Sequence, residues 1–371
     1  MTAPGVRALA RVNLAAIERN VARLRRDLSG GAQLCAVVKA DGYGHGAVPA
    51  ARAALAGGAT WTAVAAAAEA VELRAAGIEA PLLVMGALTS DELDAALEAD
   101  ADVVAWREEL VAAVAARGGG RVHVKLDTGM GRLGTRDADE ATRVADAAAA
   151  ADGVQLVGAM SHFATADEPG DAFFGRQLER FVAWALPLRE RHPGLLLHAA
   201  NSAAVLRDPA AHFDLVRAGV AIYGLDPFQS DAAAQQLEPA LELRSYVAEV
   251  KPCAAGESAG YGRRFVAERD TVLATVPIGY GDGVRRALTN NADVLIGGRR
   301  FPLAGTVSMD NVTVDLGPDG GGVARGDDVL LIGPGLPAEE MAARLQTINY
   351  EITCGLTARV PRAYHRDGAP A

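Results

Sequence analysis

The chain has 371 residues, is 50% hydrophobic and carries a formal net charge of −10. That is length enough for two domains and apolar content enough for a large core, which excludes an intrinsically disordered chain. The acidic balance, with no long basic run, argues against nucleic acid or an anionic membrane surface as a partner.

Val6–Leu14 reads as a first strand. Apolar runs then alternate with amphipathic ones. Strands are predicted at Leu34–Val38, Thr60–Ala65, Pro81–Met85, Asp102–Ala105, Arg121–Leu126, Val154–Met160, Leu195–Ala200 and Phe213–Val216. Helical stretches such as Asp91–Glu98, Ala138–Ala149 and Phe174–Arg191 separate them. Eight such strands with intervening helices predict an α/β fold, a parallel (β/α)8 TIM-type barrel; periodicity alone leaves a doubly wound sheet open. After about Ala234 the texture changes to short β-rich runs punctuated by Gly and Pro: Ala240–Val250, Thr271–Pro277, Asp293–Ile296, Val312–Leu316 and Asp328–Ile332. These predict a mainly β C-terminal domain, with the barrel over 12–234 and the β domain over 235–371.

No segment reaches transmembrane length without a charge or a turn, and the amino-terminal region has no long apolar core. Cys35, Cys253 and Cys354 are odd in number, widely spaced and fit neither a disulfide framework nor a metal cluster. A cytoplasmic protein without a metal is expected.

The run Val37-Val-Lys39-Ala-Asp-Gly-Tyr43-Gly-His-Gly46 carries the most information. A buried parallel strand delivers a lysine at its carboxyl end, where parallel α/β proteins place their chemistry. Desolvation there can turn lysine into an amine nucleophile suited to a Schiff base. The glycines let backbone approach a bulky phosphorylated partner. Taken alone, the run equally fits a surface lysine after a core strand. Gly129-Met-Gly131-Arg-Leu-Gly134 satisfies a dinucleotide-binding pattern, but the next strand runs into Met160-Ser161-His162 instead of ending in an acid, so that reading is rejected. Arg217 ends the eighth candidate strand, and barrel phosphate sites form at the loops after the last two strands. Ser202 can donate a hydroxyl there, or cap a helix; Gly219 and Val220 can donate backbone N–H groups.

The Val37–Gly46 decapeptide resembles the signature of the alanine racemase family. Further matches follow in family order: His123-Val-Lys125-Leu-Asp127-Thr-Gly-Met-Gly-Arg132, Ser161-His162-Phe-Ala, Ala200-Asn201-Ser202, Arg217-Ala-Gly219-Val220, Gly260-Tyr261-Gly-Arg, Val307-Ser-Met309-Asp310 and Asn349-Tyr350-Glu351. The resemblance implies pyridoxal 5'-phosphate as cofactor and a two-base racemisation on its aldimine, with Lys39 as one catalytic base and Tyr261 as the other. It implies cofactor contacts from Tyr43, His162, Asn201, Ser202, Arg217, Gly219, Val220 and Tyr350, with Arg217 facing the pyridine nitrogen and His162 bracing it. It implies that Arg132, Met309 and Tyr280 meet the substrate and that Lys125 is a candidate for carbamylation. It further implies that an amino-terminal strand, 1–11, joins the β domain, and that the protein is a homodimer whose Tyr261 enters the partner's site. Ser308 departs from relatives that carry cysteine beside this methionine.

The expected activity is interconversion of L- and D-alanine for peptidoglycan. The alternatives are a racemase of another small amino acid such as serine, or a pyridoxal-phosphate-binding protein without turnover. The second is disfavoured by the domain carrying Tyr261, Met309 and Tyr350.

Overall fold

The computed structural model describes residues 5–371, so the first four positions of the expected strand 1–11 lie outside the described residues. The chain divides into two compact units, one of Ile17–Phe228 with Ala232–Glu238, the other of Met1–Ala16, Gln229–Asp231 and Pro239–Ala371.

Strand β1 spans Leu9–Asn13. The next eight strands build the first unit: β2 (Gln33–Val37), β3 (Trp61–Val64), β4 (Leu82–Val84), β5 (Asp102–Ala105), β6 (Gly120–Lys125), β7 (Val154–Met160), β8 (Leu196–His198) and β9 (Leu215–Ala218). They pair in the order β8-β7-β6-β5-β4-β3-β2-β9, every pair parallel. Between β8 and β9 the wall is closed by Asp214 N–H to the Leu197 carbonyl at 3.1 Å and Arg217 N–H to the Ala200 carbonyl at 2.9 Å. This is the expected barrel. Its strands are short and mostly buried on both faces, as parallel strands covered by helices are, with β6 and β7 partly open at their starts. The helices are defined by local chemistry. Thr89 and Glu92 form a reciprocal capping box at one start, and Asp137 accepts the N–H groups of Asp139 and Glu140 at another.

The second unit contains β10 (Leu241–Tyr246), β11 (Glu249–Cys253), β12 (Ser258–Ala259), β13 (Phe265–Val266), β14 (Thr271–Val276), β15 (Asp293–Ile296), β16 (Arg299–Pro302), β17 (Val312–Asp315), β18 (Asp328–Ile332), β19 (Arg362–Arg366) and β20 (Ala369–Pro370). One sheet runs β16-β15-β18-β10-β1-β19-β20, a second β11-β14-β17, and β12 pairs with β13. β1 lies antiparallel to β10 and parallel to β19.

Two sequence expectations change here. The single run Ala240–Val250 is two strands in different sheets, because Val247 N–H turns to the Asp327 carbonyl and Ala248 N–H to the Thr275 carbonyl. Leu14, expected to end the first strand, instead opens the helix Leu14–Arg26. Among the described residues no helix is long and apolar enough to cross a membrane.

Candidate active site

β2 ends at Val37, and Lys39 opens a tight turn beyond the strand's carboxyl end. Ala40, Asp41, Gly42 and Tyr43 follow in left-handed conformation, with φ of 52°, 51°, 60° and 54°. Such a conformation costs an L-residue about 1–2 kcal/mol, so the three non-glycine residues of this four-residue run, Ala40, Asp41 and Tyr43, are held there by their surroundings. Gly42 N–H donates to the Val38 carbonyl at 2.9 Å, Gly46 N–H to the Asp41 carbonyl at 2.8 Å, and Ala47 N–H to Asp41 Oδ1 at 3.0 Å. From the next strand–helix unit, Glu69 accepts the Ala40 N–H at 2.5 Å. The strain thus fixes Lys39, half-buried, at the barrel rim.

Tyr43 is buried and packs on Tyr223 with ring centroids 5.1 Å apart, while the Tyr223 hydroxyl donates to the Val37 carbonyl. A Cβ on Gly219 would lie 2.3 Å from the Tyr43 hydroxyl, so only glycine admits that tyrosine. Ser202 opens the helix Ser202–Arg207. Asn201, not Ser202, is its cap, accepting Ala204 N–H at 3.0 Å. The Ser202 hydroxyl oxygen accepts from Gly219 N–H at 2.9 Å and Ala221 N–H at 3.3 Å, which leaves its own hydrogen to donate outward. Val220 begins the adjoining 3-10 turn Val220–Tyr223.

Arg217, on β9, is 3% exposed. Its partners are neutral acceptors: His198 Nδ1 at 2.7 Å, the Ser161 carbonyl at 2.7 Å, the Ala199 carbonyl at 3.2 Å and His162 Nδ1 at 3.3 Å. Burial pulls its pKa down to about 10. Burial, with the charges of Arg217, Lys125, Arg132 and Lys39, holds His162 well below the usual imidazole range, so its ring is neutral and accepts.

Lys125 ends β6 with only 4% of its surface exposed. Among the described residues its ammonium makes no hydrogen bond or ion pair. Burial first, then Arg217, Arg132 and Lys39, lower its pKa to about 8, against the attraction of Asp127. Asp127 is occupied elsewhere. Its carboxylate accepts from Gly129 N–H and Gly131 N–H, both at 3.0 Å, and from Arg136 Nε at 3.2 Å. The glycine-rich loop therefore wraps its own carboxylate, which supports rejecting the dinucleotide reading. Arg132 sits exposed on that loop.

The β unit gathers its own group. Tyr261, 73% exposed, opens a short turn, and its carbonyl accepts the Thr306 hydroxyl at 2.6 Å. Two and three residues beyond Thr306, the Ser308 and Met309 carbonyls accept from Tyr280 N–H and Gly281 N–H, each at 2.9 Å. One segment, residues 305–310, thus links Tyr261, Tyr280 and Met309, which is 50% exposed. Asp282 anchors the Tyr280 turn: one carboxylate oxygen accepts Gly279 N–H at 2.9 Å, and the other is bound by Arg7 and Arg359. Tyr350 is half-buried on the helix Asn349–Cys354, whose Glu351 pairs with Arg285 just beyond the Tyr280 turn.

A model of the alanine racemase N-terminal domain matches residues 12–227, and one of the alanine racemase C-terminal domain matches residues 240–364. The chain belongs to the alanine racemase family. The alanine racemase of Frankia casuarinae is 47% identical over 97% of this chain and 96% of its own, and that of Thermobifida fusca is 47% identical over 96% and 97%. Among solved structures, alanine racemase from Streptomyces coelicolor superposes with a TM-score of 0.91 at 39% identity, covering 96% of this chain and 98% of that one. The Bacillus anthracis alanine racemase with bound L-Ala-P gives 0.91 at 35% identity, covering 100% and 98%.

Within this alanine racemase fold three residues at the site went unremarked as functional in the sequence: Asp102, His123 and His198. All are buried, and His198 touches Arg217 directly. Their signal was a charged or imidazole side chain inside an otherwise apolar strand, which a buried strand does not carry without a partner.

Proposed function

We propose that the protein interconverts L-alanine and D-alanine with pyridoxal 5'-phosphate, supplying D-alanine for peptidoglycan, and that it works as a homodimer. The carrying observation is electrostatic. Lys39, Lys125, Arg132 and Arg217 lie close enough for each of the others to lower the pKa of Lys125. The carboxylate near them, Asp127, is turned into its own loop. Such a cluster needs anions, and a phosphorylated cofactor plus an amino-acid carboxylate supply them. The Tyr43 hydroxyl seated against Gly219 and the outward-donating Ser202 hydroxyl fit a phosphate, and Arg217 fits an unprotonated ring nitrogen.

In this reading Lys39 holds the cofactor. Ser202, Gly219, Val220, Tyr43 and Tyr350 surround its phosphate, with Asn201 fixing the helix start. When bound, the cofactor supplies an electron sink that acidifies the Cα–H of the amino acid. Arg217 can only donate, so it leaves no proton on the ring nitrogen and restrains side reactions. Arg132 takes the substrate carboxylate through its fork, aided by the Met309 backbone N–H. Lys125, as a carbamate, becomes the anion that orients Arg132. Tyr280 and Tyr350 narrow the entrance to suit a small side chain.

Inversion at Cα needs a base on each face. Lys39 moves the proton on one face, and Tyr261, from the partner chain, on the other. The proposed compartment is the cytoplasm, where Cys35 and Cys253 remain thiols. The test is chiral chromatography after incubating the cofactor-loaded protein with L-alanine or L-serine. Formation of D-alanine faster than D-serine is expected, and no D-alanine overturns the reading.

A further inference from the structure

Four polar side chains cross the barrel interior in one line. Asp102 opens β5, His123 lies in β6, His198 ends β8 and Arg217 lies in β9. Asp102 Oδ2 stands 2.9 Å from His123 Nε2, His123 Nδ1 stands 2.9 Å from His198 Nε2, and His198 Nδ1 stands 2.7 Å from Arg217 Nη1. Asp102 Oδ1 takes Arg121 Nε at 2.5 Å. The contact between the imidazoles lies over Gly158 of β7, where a Cβ would come within 2.3 Å of His123 Nδ1 and 3.1 Å of His198 Nε2. The two rings meet edge to face.

The proton positions follow from the two ends. A guanidinium has no acceptor, so it must donate to His198 Nδ1. His198 then carries its proton on Nε2 and donates to His123 Nδ1. His123 therefore carries its proton on Nε2 and donates to Asp102, an acceptor only. Both imidazoles are neutral and both have the same tautomer. At His198, burial first and then the nearby cations Arg217 and Lys125 hold the ring well below the usual range, in keeping with a neutral imidazole. At Asp102 burial opposes ionisation, but His123 and Arg121 outweigh it and keep the carboxyl low.

We propose that Asp102, His123 and His198 are positioning residues that aim the Arg217 guanidinium through a one-way hydrogen-bond chain. The carboxylate is set two imidazoles away from the arginine, so it orients the guanidinium without quenching its charge at contact. The catalytic consequence rests on the reading that Arg217 faces the cofactor ring; the direction of the chain does not.

Nitrogen-15 NMR of histidine-labelled holoenzyme tests the direction, with the pair picked out by its nitrogen–nitrogen proximity. Near neutral pH both rings should show a protonated Nε2 and a bare Nδ1. A protonated Nδ1 on either ring overturns the chain. Asp102→Asn tests the positioning. Its single carbonyl can serve Arg121 or His123. If it serves Arg121, the amide N–H meets His123, both tautomers reverse, and Arg217 faces a donor. Reversal must bring a fall in kcat of about tenfold or more, with KM for alanine nearly constant and a shifted cofactor absorbance. Without reversal all three must stay as in the parent. Reversal without loss, or loss without reversal, overturns the proposal. Arg217→Lys serves as the control: if it leaves the cofactor absorbance unchanged, the reading of Arg217 fails while the tautomer result stands.

Discussion

Tyr43 and Gly219 are matched across the barrel rim: the tyrosine hydroxyl occupies the space a Cβ on residue 219 would need, 2.3 Å from that position. Tyr43 comes from the strained turn after β2, Gly219 from the residue after β9, and these two strands are paired neighbours. Gly219→Ala should therefore displace the Tyr43 hydroxyl while leaving the barrel folded. Cofactor affinity, followed by fluorescence titration, should weaken about tenfold, as expected for one lost phosphate contact of roughly 1.5 kcal/mol. Unchanged affinity with a normal melting curve would remove Tyr43 from the phosphate site.

Lys125 gives a pH dependence with a definite sign. Its folded pKa is about 8, against a usual 10.5, so between these values the unfolded chain binds more protons. Stability of the protein freed of cofactor and CO2 should rise with pH across that window. Below pH 8 the penalty is fully present, on the order of 3 kcal/mol. Lys125→Met should raise the melting temperature at pH 7 and flatten the rise. A steeper or unchanged pH profile in the variant would contradict the placement.

The same depressed pKa leaves a usable fraction of neutral amine at pH 8, the form that adds CO2. Carbon-13 bicarbonate should give a carbamate resonance in the parent protein that is absent from Lys125→Arg. Racemase activity of bicarbonate-depleted enzyme should recover on adding bicarbonate. A carbamate signal that survives Lys125→Arg would assign the modification to another lysine.

Arg217→Glu replaces an obligate donor with a group that can hold a proton beside the ring nitrogen. Racemisation should slow by about 100-fold or more, the scale of losing one preorganised charge, and a long-wavelength absorbance should build up with alanine. An unchanged rate and spectrum would show that Arg217 does not meet the cofactor ring.

Much of this architecture was legible because apolar period and length separate short buried strands from longer helices; Asp102–Ala105, Val154–Met160 and Asp293–Ile296 have the bounds read from sequence. β16 and β19 were missed because Arg299-Arg300-Phe301-Pro302 and Arg362-Ala-Tyr-His-Arg366 are polar and outer in their sheet, with little apolar signal. At the candidate site, motifs single out Lys39, Ser202 and Arg217. The cap at Asn201 and the chain from Asp102 to Arg217 were not legible in them. The cap is local and falls one residue before the serine that the sequence offered for it, while the chain depends on which polar groups meet across strands, and spacing along one strand does not encode a partner on another.

The proposed attachment of the cofactor at Lys39 rests on the place of that lysine just beyond the carboxyl end of β2. Borohydride reduction of the holoenzyme, followed by peptide mass mapping, should put the pyridoxal mass on Lys39, and Lys39→Ala should yield no reduced adduct. An adduct on any other lysine of the parent protein would reject this assignment.

The central claim is that the two opposed bases, Lys39 and Tyr261, come from different chains of a dimer. Mixing inactive Lys39→Ala and Tyr261→Phe proteins under conditions of verified subunit exchange measures this directly. With composite sites, each mixed dimer has one site carrying both lesions and one carrying neither. Racemase activity should then return, at about one quarter of the parent value for random exchange of equal amounts, since half the dimers are mixed and each holds one intact site. With both bases from the same chain, every site keeps one lesion, and exchange that restores no activity would contradict the account.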